Sequence, residues 1–128
     1  MKRLMRFAVI FCSLLFFMPG PSAAAQDSAA KTSAEIVHLL DFVHVSNCTF
    51  IRNGSEYDGA MAAGHLQTKY DYYKGDIHSA EDFIDLAATK SALSGKPYLV
   101  HCPGKQTIAS SDWLKIELQT FRSKQTAN

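Results

Sequence analysis

The chain has 128 residues, 13 of them basic and 12 acidic, for a formal charge of +1 with the histidines neutral. That length suits one small domain. The near balance of charge excludes the electrostatic footprint of a nucleic-acid-binding or anionic-membrane-binding protein.

Chain order begins with a targeting pattern. Lys2, Arg3 and Arg6 form a positive region, Phe7 to Met18 an apolar run, and Pro19, Gly20 and Pro21 break it before the small residues Ala23 and Ala25. This pattern predicts a secretory signal peptide over 1–25, cleaved after about Ala25. The apolar run is shorter than the roughly 20 residues a membrane-spanning helix needs, so no stable membrane anchor is expected after cleavage. Bulky Val9, Ile10 and Phe11 precede Cys12, unlike a lipoprotein acylation site. The expected location is therefore periplasmic or secreted. Loss of the signal leaves ten basic and 12 acidic residues, a formal charge of −2.

Export changes how the remaining cysteines read. Cys48 and Cys102 form an even pair, most simply a disulfide in an oxidising compartment. Two free thiols or a Cys/His metal site are the alternatives. A loop of that span contributes about 4 kcal/mol in the chain-entropy account.

Residues 26–32 are small and polar and are expected to form a disordered leader. Thr32 and Glu35 have capping-box spacing, and Ile36, Leu39, Leu40 and Val43 recur at helical spacing, which predicts a helix over about 33–46. "TFIR" (49–52) is β-branched and aromatic, a short strand. Asn53-Gly54 suits a hairpin, but no apolar run follows, so a strand-to-helix turn is expected. The next helix is placed at about 56–73, its apolar face Ala62, Ala63, Leu66, Tyr70 and Tyr73. Gly59 and Gly64 weaken it, by up to about 1 kcal/mol each, and permit close approach of another element. Ser79 is a good N-cap for a third helix at about 80–90. "PYLVHC" (97–102) is a second strand with its proline at the start. "PGKQT" is a turn, and an amphipathic helix starting at Ser110 or Ser111 buries Trp113, Leu114, Leu118 and Phe121. The order is α-β-α-α-β-α, a single small α+β domain over 33–124 with a two-stranded sheet packed by helices. A Cys48–Cys102 bond would tie the two strands side by side.

Few groups suggest chemistry. His101 and Cys102 are neighbours on a strand and point to opposite faces, which argues against a nucleophile–base pair. There is no C-x-x-C and no H-x-x-x-H pair, so no metal and no cofactor are expected. "PGKQT" lacks the leading glycine and the Ser or Thr after lysine that a phosphate loop requires, Leu99 and Gln106 standing there instead. Arg52, Asn53, His65 and Lys69 are candidate binding residues. His65 with Glu81 and Arg52 is a candidate acid–base set, to be weighed against an Arg52–Glu81 ion pair and a hydrogen-bonded His65. Tyr57, Tyr70, Tyr72, Tyr73 and Tyr98 suit half-buried positions and interfaces.

"FIRNG", "AAGHLQTK", "SAEDFI" and "SGKPYLV", in this order and spacing, resemble the YfeK-like family of small exported bacterial proteins, a domain of unknown function. The resemblance spans Ile36 to Leu118 and implies a periplasmic protein of a Gram-negative bacterium. It implies no established activity and carries over no catalytic role. The expectation is a non-catalytic binding or interaction module with a protein or cell-envelope partner. A small hydrolase or transferase using His65, Glu81 and Arg52 is the alternative.

Overall fold

The computed structural model describes residues 18–128. The basic and apolar parts of the expected signal peptide, Lys2 to Phe17, lie outside the described residues. Helix α1 runs Ala23–Val45, then come β1 (Thr49–Arg52), β2 (Ser55–Tyr57), α2 (Gly59–Tyr73) and a short 3₁₀ turn (Lys74–Asp76). Helix α3 (Ala80–Ala87), β3 (Leu99–His101), β4 (Ile108–Ala109) and α4 (Ser110–Thr126) complete the order.

The α+β class holds, but the two-stranded sheet is corrected to four antiparallel strands in the order β2-β1-β3-β4. The first missed strand follows Asn53-Gly54. Both residues take positive φ, 51° and 78°, the requirement of a tight two-residue hairpin turn. The turn therefore returns the chain as β2, and Arg52 pairs with Ser55. β2 reads "SEY" and sits at the sheet edge with Ser55 and Glu56 exposed, so it carries no apolar alternation to announce it. β4, two residues long, pairs Ile108 with Val100. Helix α2 begins later than its expected start, because Asp58 caps it by accepting from the Met61 amide at 2.8 Å.

The other helix ends also have local causes. α1 starts at Ala23, so its first turns include residues 26–32, all exposed but half-buried Thr32. Thr32 and Glu35 then lie mid-helix and form no capping box. Ser79 caps α3 as expected, accepting from the Asp82 amide at 3.0 Å. Gly59 meets the C-terminal end of α1 so closely that a Cβ there would lie 2.4 Å from the Val43 carbonyl oxygen. The expected close approach is thus real at Gly59, whereas Gly64 faces open space.

The core is Ile36, Leu39 and Val43 of α1, Phe83 and Ile84 of α3, Val100 of β3 and Leu114 of α4, all essentially fully buried. Thr49↔His101, Phe50↔Val100 and Ile51↔Leu99 pair across β1 and β3. Extending this register one residue each way sets Cys48 opposite Cys102 and Arg52 opposite Tyr98. Cys48 and Cys102 are bonded, with Cα atoms 4.2 Å apart. Period-two alternation puts these pairs and Phe50/Val100 on one face. That face is stapled at one end, apolar in the middle, and ends in a cation and a phenol.

Candidate functional site

The site forms where that polar end meets α2. Along α2, Ala62, His65, Leu66 and Lys69 fall at helical spacing on one stripe. They line a cavity of about 40 Å³ together with Val43, Phe50, Arg52, Tyr57, Tyr98, Ser110 and Leu114, among others. The walls are almost wholly apolar and the basic groups stand among them. An outer groove of about 360 Å³ adjoins, lined by Thr68, Tyr72, Tyr73, Ser91, Ala92 and Leu93 and sharing Arg52, Lys69 and Tyr98 with the cavity. Tyr72 and Leu93 are 82 % and 95 % exposed on its rim.

Of the residues expected from sequence, Arg52, His65 and Lys69 come together. Arg52 lies over the Tyr57 ring at 5.9 Å, and the Tyr57 and His65 rings pack nearly perpendicular with centroids 4.8 Å apart. The Lys69 ammonium donates to the Lys90 carbonyl at 2.8 Å and to the Tyr98 hydroxyl at 3.3 Å. Among the described residues no Asp or Glu lines the cavity or the groove. Burial, and then the positive charge of Arg52, lower the pKa of both His65 and Lys69. Burial raises the Tyr98 phenol, and Arg52 opposes that shift.

Asn53 has a positioning role. Its amide donates to Ser91 Oγ at 3.2 Å, and its oxygen accepts from Ser94 Oγ at 2.5 Å. It thereby holds the loop that carries the groove's outer wall and delivers Tyr98. Glu81 is placed elsewhere. Its carboxylate accepts from Arg122, which also donates through two nitrogens to Glu35 at 2.8 Å each. Arg122 thus joins α4 to α1 and α3. The bonds from Arg122 hold the Glu81 carboxyl below its usual range and push the guanidinium up.

Two groups were not singled out in the sequence. Tyr98 stood among five tyrosines, but it lies two residues before buried Val100 and so shares its face. Ser110 was read only as a helix cap. It lines the cavity, is 5 % exposed, and its hydroxyl has no hydrogen-bond partner among the described residues. No periodicity marks an unpartnered hydroxyl. Among the described residues no group of three His, Cys, Asp or Glu is arranged to hold a metal ion, and no helix is long and apolar enough to cross a membrane.

The molecule is thus a small disulfide-stapled α+β domain with one basic, apolar-walled cleft. The chain belongs to a family of unknown function, DUF5329, whose profile matches residues 30–122. It is 44 % identical over 89 residues to the "Uncharacterized protein YfeK" of Salmonella typhimurium strain LT2, across 70 % of this chain and 74 % of that protein. This is the YfeK-like family that the four sequence segments indicated. No solved structure matches it.

Proposed function

We propose that this protein is a non-catalytic binding module that is exported to the periplasm and engages an anionic group of a protein or cell-envelope partner through the Arg52–His65–Lys69 cleft. One observation carries the reading: three basic side chains gather in an apolar cleft that no carboxylate lines. Arg52 and Lys69, brought together without an anion, repel one another and lose hydration, and the same effects hold His65 toward its neutral form. An incoming carboxylate or phosphate relieves both costs, and the guanidinium offers it two parallel N–H donors. The N-terminal signal pattern and the Cys48–Cys102 bond support the exported location.

The enzyme reading is weaker. A histidine base needs a partner within hydrogen-bond reach to orient it. The Glu81 carboxylate is engaged by Arg122, and His65 packs on the Tyr57 ring and lines the cavity, with no side-chain hydrogen bond among the described residues.

The test is site-specific crosslinking. A photoreactive residue at exposed Thr68, in the groove, is activated in intact cells carrying either wild-type Arg52 or Arg52→Ser. The expected result is a discrete adduct in the periplasmic fraction that disappears with Arg52→Ser while the protein's abundance holds. The same adducts in both backgrounds would overturn the reading.

A further inference from the structure

The buried Ser110 hydroxyl is unexplained by a site that merely attracts anions. Ser110 opens α4, its amide donates to the Tyr98 carbonyl at 2.9 Å, and Leu114, one turn on, lines the same cavity. Its hydroxyl is the one buried side-chain polar atom without a partner among the described residues. Burying an unpartnered hydroxyl costs about 1–3 kcal/mol. The cavity that Ser110 lines holds about two non-hydrogen atoms, judged by the space a water or a benzene needs.

We propose that Ser110 selects the ligand: the cleft takes a carboxylate whose short arm ends in an oxygen, the carboxylate on Arg52 and the arm's oxygen on Ser110 Oγ. This inference rests on the anion-binding reading above. The apolar walls fit the carbons of the arm, and the single hydroxyl satisfies its terminal oxygen. A plain alkyl arm would fill the same space and leave Ser110 unpaired. Selection by a buried hydroxyl is stronger than selection by a methylene, because the wrong ligand strands a polar group. Two sources offer this chemistry: a free short hydroxy acid, and a peptide chain terminus whose last side chain bears a hydroxyl.

The experiment is an NMR titration of the protein with matched pairs. Glycolate is set against propionate, then hydroxy acids one and two methylenes longer against alkyl acids of the same chain length. A short peptide ending in serine is set against one ending in alanine. The expected result is a preference of about fivefold or more for the hydroxylated member of at least one pair, the worth of one neutral hydrogen bond. Ser110→Ala should abolish or reverse that preference. This variant removes an unpaired group, so it should fold with an undiminished melting temperature. Whether the acids or the peptide carry the preference identifies the source. Binding that depends on Arg52 with no hydroxyl preference, or with one that survives Ser110→Ala, overturns this inference and leaves the anion-binding reading standing. No Arg52-dependent shift with any acid or peptide overturns this inference too, and the same silence toward inorganic phosphate overturns both.

Discussion

Two arginines in separate clusters of this small domain meet different fates. Arg122 is firmly paired: Glu35 and Glu81 take four of its five guanidinium hydrogens, and Glu35 is buried beneath it. Arg52 lies over an aromatic ring, lacks any ion pair among the described residues, and shares its cleft with His65 and Lys69. The first arrangement spends charge on holding three helices together. The second keeps charge available. Local chemistry alone separates a structural ion cluster from a binding site, since both use the same residue type.

The comparison is broken most directly by cutting each arginine. Arg122→Ala leaves the Glu35 carboxylate buried and unpaired, which typically costs 3–5 kcal/mol. Urea denaturation should therefore show a loss of about 3 kcal/mol or more. A loss under about 1 kcal/mol would mean that Arg122 is no pin.

Arg122→Lys sharpens the point. The ammonium keeps the charge but cannot present the planar fork that reaches both carboxylates. The expected loss is smaller, about 1–2 kcal/mol, in line with hydrogen bonds to charged groups. Acid should weaken this same cluster. The Glu81 carboxyl is held below its ordinary 4.5, so its contribution is present above that value and is lost as pH falls through the folded-state pKa. The acid limb of the stability curve should flatten in Arg122→Ala.

How much of this was legible in the sequence follows from the same contrast. Arg52, His65 and Lys69 were readable as a group because a strand end and one helical stripe carry them. The disulfide was readable from an even cysteine count in an exported chain. The Arg122 cluster was not, since Glu35 and Arg122 lie 87 residues apart and Glu35 fits a capping box equally well. β2 and β4 were hidden because edge strands of two or three residues are too short to show an alternation. The Asn53-Gly54 turn held the needed signal, but weighing the missing apolar run above the turn chemistry misplaced it.

Arg52→Ala should behave oppositely to Arg122→Ala. It removes a cation that has no anionic partner among the described residues and relieves the effect of that charge on His65 and Lys69. Stability should stay within about 0.5 kcal/mol of wild type, as for a surface change that breaks no network. A loss of about 2 kcal/mol would show that Arg52 is structural and would undo the contrast.

The smallest effect is the most specific. Burial first and Arg52 second hold the His65 pKa below 6.5, so between the folded and unfolded values the unfolded chain binds more protons. Stability contributed by neutral His65 is therefore complete above 6.5 and declines as pH falls toward the folded-state pKa. His65→Gln should remove that slope. The imidazole titration followed by NMR should move upward in Arg52→Ala, though not fully to 6.5, because burial persists. It should move upward further when a carboxylate occupies the cleft beside intact Arg52, since an anion favours the imidazolium. An imidazole whose titration ignores both Arg52 and added carboxylate would place His65 outside the electrostatics of the cleft and reduce the site to Arg52 and Lys69.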